Sequence, residues 1–177
     1  MIQKINNMNT IFYKTNLSWT KKFVDGNLDN IKKNYSIYPN RNKWKCDCHV
    51  IHDYDKDVYP IDYSFLRDKY EKLAEKVCKK FKIKKYHLSD IWYNYYKFNQ
   101  YQEPHTHAGN GGLTAVHYLI FNSKYHSITH FTNTKIKSPK IKKGDILFFP
   151  ADVEHFVPEN KTDKPRLTIA FTITRKQ

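Results

Sequence analysis

This sequence lacks any apolar run near the roughly 20 residues that a helix needs to cross a bilayer. Its opening residues, Met1 to Asn7, lack the apolar core of a signal peptide, so the expectation is a cytoplasmic protein, made and kept inside a cell. Asn-x-Ser/Thr sequons at Asn16, Asn34 and Asn160 then carry no meaning, because glycosylation needs secretion. Cysteine is scarce and odd in number, with Cys46, Cys48 and Cys78 only, which argues against a disulfide framework. Cys46-Asp47-Cys48-His49 followed by His52 can be read as a zinc site. A CxC pair is too tight to give two ligands to a structural tetrahedron, however, and alternation along an edge strand explains it better. No internal repeat, low-complexity tract or linker interrupts the chain. Acidic residues are few: 17 Asp and Glu stand against 31 Lys and Arg, a net charge of +14. That excess favours anionic partners such as nucleic acid, an acidic protein or a charged cosubstrate. The basic residues are scattered, apart from residues 79–85 and 135–143, and a coding bias toward Lys, Asn, Ile and Tyr gives the same composition without selection for binding.

Aromatic residues are plentiful. Fourteen Tyr, eleven Phe and three Trp make up 16% of the 177 residues, and 40% are hydrophobic, enough for a core and too apolar for disorder. One domain is expected over 1–177, with residues 1–87 a helical and mixed support region and 88–177 a β-rich core. Thr10 to Tyr13 reads as a short strand, Asp25 to about Lys33 as a short helix, residues 34–45 (Pro39-Asn40-Arg41-Asn42 among them) as a loop, and Lys45 to His52 as a strand. The clearest helix places Leu66, Tyr70, Leu73, Ala74, Val77 and Phe81 at three- and four-residue steps, with Ser64 as N-cap. From His87 the period changes. Ile91 to Phe98, Leu113 to Phe121, Ile128 to Thr134, Ile146 to Phe149, His155 to Pro158 and Arg166 to Thr174 are strand-like, separated by Gly111-Gly112, Asn122-Ser123, Lys143-Gly144-Asp145 and Glu159-Asn160. The fold class this predicts is mainly β with flanking helices, a β-sandwich or jelly roll.

Within that core one stretch bears chemistry: Gln102-Glu103-Pro104-His105-Thr106-His107-Ala108-Gly109. Alternate residues of a strand share a face, so an extended chain here presents two imidazoles side by side. Two neutral imidazoles suit Zn, Fe, Ni or Cu, and a third ligand from a neighbouring strand leaves positions open for substrates. His155 is the natural third ligand, entered through the apolar run Gly144 to Pro150.

Trp92-Tyr93-Asn94-Tyr95-Tyr96, His105-Thr106-His107, Leu113 to Leu119, Gly144 to Pro150, His155 and Arg166 to Phe171 occur in that order. This ordered set resembles the 2-oxoglutarate- and Fe(II)-dependent oxygenase superfamily, its small phage-type members and, more distantly, prolyl hydroxylases. The resemblance covers roughly residues 88 to 175 and implies a double-stranded β-helix, a cupin-like jelly roll. It implies Fe(II) on His105, His107 and His155, with 2-oxoglutarate and molecular oxygen as cosubstrates. Arg166, eleven residues after His155 as is usual in such enzymes, would bind the far carboxylate of 2-oxoglutarate in bidentate fashion. Thr168, two along on the same strand face, adds a hydroxyl, and Asn94 and Tyr96 resemble an Asn-x-Tyr pair that contacts the cosubstrate in some members. The reaction implied is hydroxylation of an unactivated C–H bond with release of succinate and carbon dioxide. The substrate would be a protein side chain first, a nucleobase second, a small molecule third. Trp92, Tyr93, Tyr95 and Tyr118 could stack on any of these or belong to the core.

One position departs from the pattern: His107 stands where most members have Asp or Glu. An imidazole there leaves extra positive charge on the metal centre. Two other registers stay open, one with His107 first and Gly109 in the acid's place, another with Glu103 swinging in. A cupin also fits the histidines and the run from Gly144 to Pro150, but residues 108–118 lack the Glu that a cupin needs, and Arg166 has no role in one. The remaining alternative is a metal-free basic β-sandwich that binds nucleic acid or protein.

Overall fold

The computed structural model describes residues 3–7, 10–38, 46–107 and 112–175. Its strands are β1 (Gln3–Asn7), β2 (Thr10–Asn16), β3 (His49–His52), β4 (Tyr86–Tyr96), β5 (Gln102–His105), β6 (Leu113–Ile120), β7 (His130–Phe131), β8 (Asp145–Pro150), β9 (His155–Val157) and β10 (Arg166–Arg175). The helices are α1 (Thr20–Ile37) and α2 (Ser64–Phe81). A seven-stranded sheet runs β1-β2-β8-β6-β10-β4-β3 and a three-stranded sheet runs β5-β9-β7, antiparallel throughout. This is the double-stranded β-helix with helices packed outside.

Strand alternation gives the large sheet two apolar faces. Ile91, Tyr93, Ala115, Phe148, Ile169 and Phe171 pack beneath the helices. Trp92, Tyr96, Tyr118, Leu147, Phe149 and Ala170 face the interior between the sheets. Phe131 of the small sheet meets Phe12 at 4.9 Å and Phe149 at 5.3 Å between ring centroids, which ties the two layers together. The segment before residue 88 contributes β1, β2 and β3 to the large sheet as well as both helices.

Helix α1 is longer than the sequence suggests, because its polar residues face inward. Asn27 and Asn34 are buried. Asn34 Nδ2 donates to the Tyr59 carbonyl at 2.9 Å and its Oδ1 accepts the Tyr59 N–H at 2.7 Å, while Asn27 Oδ1 accepts the Asp62 N–H at 2.8 Å. These side chains hold the extended segment 59–62 as a neighbouring strand would, and buried polar groups with such partners are tolerated. Pro39 to Lys45 lie outside the described residues. Ser64 is the first helical residue of α2 and not its cap. The cap position is Tyr63, which makes no side-chain cap bond, and the Asp62 carboxylate accepts the Ser64 N–H at 3.0 Å instead. Strand β4 begins earlier than expected, at Tyr86, and β7 keeps two residues of the predicted seven. No helix among the described residues is long and apolar enough to cross a membrane.

Between α2 and β6, the Tyr70 hydroxyl and His117 Nδ1 share a hydrogen bond of 2.7 Å, with both residues buried. Burial holds the His117 imidazole down at about 3. In the unfolded chain it titrates near 6.5, so below that pH the unfolded state takes a proton that the fold refuses. Stability contributed by neutral His117 is therefore whole above pH 6.5 and falls as pH drops from 6.5 toward 3. Urea unfolding between pH 6 and pH 4 should show the parent losing ~1.4 kcal/mol per pH unit more than His117→Leu. Equal slopes would mean that His117 takes its proton in the folded state.

Candidate active site

Three imidazoles converge at the seam between β5 and β9. His105 ends β5 and lies opposite His155, the first residue of β9, in the antiparallel register. His107 follows the end of β5, and its backbone N–H donates to the Ala151 carbonyl at 2.9 Å, just past β8. The Ala151 N–H in turn donates to the Gly112 carbonyl at 3.0 Å. Gly112 is required where it is: a Cβ there would stand 2.2 Å from the Ile173 carbonyl oxygen. The chain that carries His107 is thus braced by two backbone bonds rather than by strand pairing.

One nitrogen from each of His105, His107 and His155 lies within 4.8 Å of the others. Ring centroids are 4.3 Å apart for His105 and His155, 5.1 Å for His105 and His107, and 5.2 Å for His107 and His155. His105 Nδ1 sits 2.7 Å from the Glu103 carbonyl and His155 Nδ1 2.9 Å from the Val153 carbonyl. A carbonyl only accepts, so each Nδ1 carries the proton and each Nε2 the lone pair, the tautomer a metal ligand needs. Burial and the neighbouring imidazoles hold His155 down at about 3 and His107 at about 4, so both are neutral near pH 7. Phe149 packs on His155 at 4.6 Å, and Trp92 lies 5.4 Å from His107.

The other registers fare differently. Glu103 is exposed, only its backbone carbonyl turns toward His105, and it does not join the cluster. Gly109 lies outside the described residues. The cysteine segment does not gather a metal-binding group among the described residues: Cys48 is buried in the sheet interior, and the three cysteines form no disulfide.

Arg166 opens β10 and is 2% exposed. Strand β10 lies between β4 and β6 in the large sheet, whereas β9 belongs to the small one. The two functional halves therefore come from opposite layers. Arg166 pairs with Tyr96 and Thr168 with Asn94 across the β10–β4 ladder, which puts all four expected cosubstrate residues at one end of that ladder. The guanidinium carbon stands 4.5 Å from the Tyr96 ring centroid and 5.6 Å from that of Tyr118. None of its three nitrogens makes a hydrogen bond among the described residues. Asn94 Nδ2 donates weakly to Thr168 Oγ1 at 3.4 Å, and Asn94 Oδ1 is buried without a partner. Tyr118 is one of the four aromatic residues that the sequence leaves open between core and substrate. It is a second ring on Arg166, fixed by a 2.9 Å hydrogen bond from its hydroxyl to Thr129 Oγ1. Only the β6–β10 register reveals that role.

A buried guanidinium without an anion is costly, and two aromatic faces recover only part of the cost. The arrangement fits a carboxylate ligand. The imidazoles fit an intermediate divalent metal such as iron. The two groups have the chemistry that an iron and 2-oxo-acid site would use.

Comparison with known proteins agrees. The family model described as "Putative 2OG-Fe(II) oxygenase" matches residues 120–172, which include His155, Arg166 and Thr168. No curated protein matches the chain. Among solved structures, the viral collagen prolyl hydroxylase of Paramecium bursaria Chlorella virus-1 is similar at 19% identity and TM-score 0.64, covering 92% of this chain and 94% of that one. A Pseudomonas putida prolyl-4-hydroxylase is similar at 11% identity and TM-score 0.67, covering 94% and 93%. AviO1 of Streptomyces viridochromogenes Tue57 is similar at 10% identity and TM-score 0.68, covering 92% and 89%. Residues 120–172 thus resemble the putative 2OG-Fe(II) oxygenases, and the fold that surrounds them is similar to that of these solved structures.

Proposed function

We propose that this oxygenase is a hydroxylase in which His105, His107 and His155 hold Fe(II) while Arg166, helped by Thr168, Asn94 and Tyr96, holds 2-oxoglutarate. The supporting observation is the buried Arg166 guanidinium, which has two aromatic faces and no hydrogen-bond partner among the described residues. Burial of that kind is hard to sustain for structure alone and is repaid when a carboxylate arrives.

With iron and 2-oxoglutarate bound, the centre supplies oxidation by O2: one oxygen atom enters a substrate C–H bond, the other enters succinate, and carbon dioxide leaves. The protein's own residues bind and orient. The Glu103 and Val153 carbonyls hold His105 and His155 in the ligating tautomer. Arg166 sets the direction of the diacid by its far end. Tyr96, Tyr118 and Phe149 keep the interior dry, which strengthens every charge interaction there. A protein side chain is the preferred substrate, the hydroxylation carried out by the two prolyl hydroxylases of similar fold. Three cysteines without a disulfide suit the reducing interior of a cell. Nucleic-acid binding keeps only the net charge of +14 in its favour.

Anaerobic addition of Fe(II) and then 2-oxoglutarate should produce a weak visible charge-transfer band, absent with either alone and absent with succinate. A spectrum unchanged by 2-oxoglutarate would return the chain to a metal-binding or metal-free β-sandwich.

A further inference from the structure

Beside His107 a cleft of about 520 Å³ opens and runs across Trp92 to Asp90. Among the described residues no Lys or Arg lines it, although the chain has 31 of them. Asp90 is half-buried on β4. Its carboxylate accepts one long hydrogen bond, 3.5 Å from the Thr172 hydroxyl, and takes part in none of the ion pairs among the described residues. Two other carboxylates shielded from solvent do meet a cation: Asp53 pairs with Arg67 and Asp145 with Lys14. The aromatic side of the cleft is a stack. The His52 ring lies 5.3 Å from Trp92 at 28°, and Tyr54, itself exposed, lies 4.8 Å from His52 at 25°.

We propose that this cleft receives a cationic side chain of a polypeptide substrate, lysine or arginine, with its charge met by Asp90 and its stem or plane laid against Trp92. The proposal rests on the oxygenase reading and names the substrate class for it. The volume is that of a small-ligand site. An aromatic face and an unpaired carboxylate both attract a cation. A phosphate-bearing strand would meet Asp90 with like charge and find no basic side chain among the described residues of the cleft, so the net charge of +14 does not by itself argue for a nucleobase here. His107 lines the same cleft, which brings the bound side chain beside the metal ligands.

The test uses the full chain with Fe(II) and 2-oxoglutarate, kept free of oxygen. Four otherwise neutral ten-residue peptides carry a central Lys, Arg, Gln or Glu, and their binding is read by fluorescence anisotropy. The Lys or the Arg peptide should bind about tenfold more tightly than the Gln peptide, with the Glu peptide weakest. The difference between the first two identifies which cation is taken. Asp90→Asn should erase the preference and Asp90→Lys should turn it toward Glu. Equal binding of all four, no binding of any, a preference that survives in Asp90→Asn, or displacement of the Lys peptide by oligothymidylate would overturn the proposal. 2-Oxoglutarate affinity in the same samples separates the two readings. Its absence in the parent protein sinks the oxygenase reading, whereas its presence without charge preference sinks only the cationic substrate.

Discussion

Replacing Arg166 by Met should abolish cosubstrate binding and at the same time stabilise the protein. The guanidinium is 2% exposed and has no hydrogen-bond partner among the described residues. Removing one member of a buried charge pair typically costs ~3–5 kcal/mol, which at about 1.4 kcal/mol per tenfold is a loss of at least about a hundredfold in 2-oxoglutarate affinity. In the ligand-free protein the same change removes an uncompensated charge, and a well-packed apolar side chain of similar volume is then often favourable by ~1–4 kcal/mol. The thermal midpoint should rise by roughly 2–4 °C for each kcal/mol in a chain of this size. Arg166→Lys should recover part of the affinity, since it keeps the charge and loses the two-pronged geometry. Calorimetry with 2-oxoglutarate and a melting curve without it read the two effects separately. A variant that melts lower and binds normally would make Arg166 a structural residue held by Tyr96 and Tyr118.

The second large effect is expected at the metal. Three neutral imidazoles leave the full charge of a dication in a mostly buried site, and Arg166 adds a further positive charge in the same barrel. 2-Oxoglutarate brings two negative charges. Metal and cosubstrate should therefore bind with strong mutual enhancement, and linkage requires the enhancement to be equal in both directions. We expect Mn(II) or Fe(II) affinity to rise by on the order of a hundredfold when 2-oxoglutarate is present, near the upper end of usual coupling energies. His107→Asp supplies one of those negative charges permanently. It should hold the metal at least as well as the parent without 2-oxoglutarate and show a smaller enhancement with it. His155→Ala should lose the metal under all conditions, because His105 and His107 belong to one short segment and cannot enclose an ion alone. Metal affinity indifferent to 2-oxoglutarate in the parent would contradict the charge argument. Unchanged affinity in His107→Ala would remove His107 from the ligand set.

Much of this site was legible before the fold. His105, His107 and His155 are read from spacing and from the run Gly144 to Pro150, and they meet as expected. Arg166 was legible through the family resemblance, in which an arginine eleven residues beyond the last histidine meets the far carboxylate of 2-oxoglutarate. Its strand partners were not, since pairing between β10 and β4 or β6 joins residues about 50 to 90 apart in the chain. The same holds for Tyr118 and for the cleft at Asp90, which depends on β4 and β10 lying side by side. The length of α1 was hidden for a chemical reason. Asn27 and Asn34 look like loop residues, yet each is buried and bound to backbone.

The position of β10 bears on how this protein is made. It lies at the heart of the large sheet, flanked by β4 and β6, yet it is the last of the ten strands to be synthesised. Translation must pass residue 175 before the sheet can close over its interior. Until then β4 and β6 leave the ribosome with a partner missing and their aromatic faces open to water, the kind of edge that invites association with other chains. Pairings between distant segments also form slowly. Production should therefore depend more on temperature and on chaperone supply during synthesis than on the stability of the finished fold, and a truncation within β10 should yield aggregate rather than a weakened enzyme.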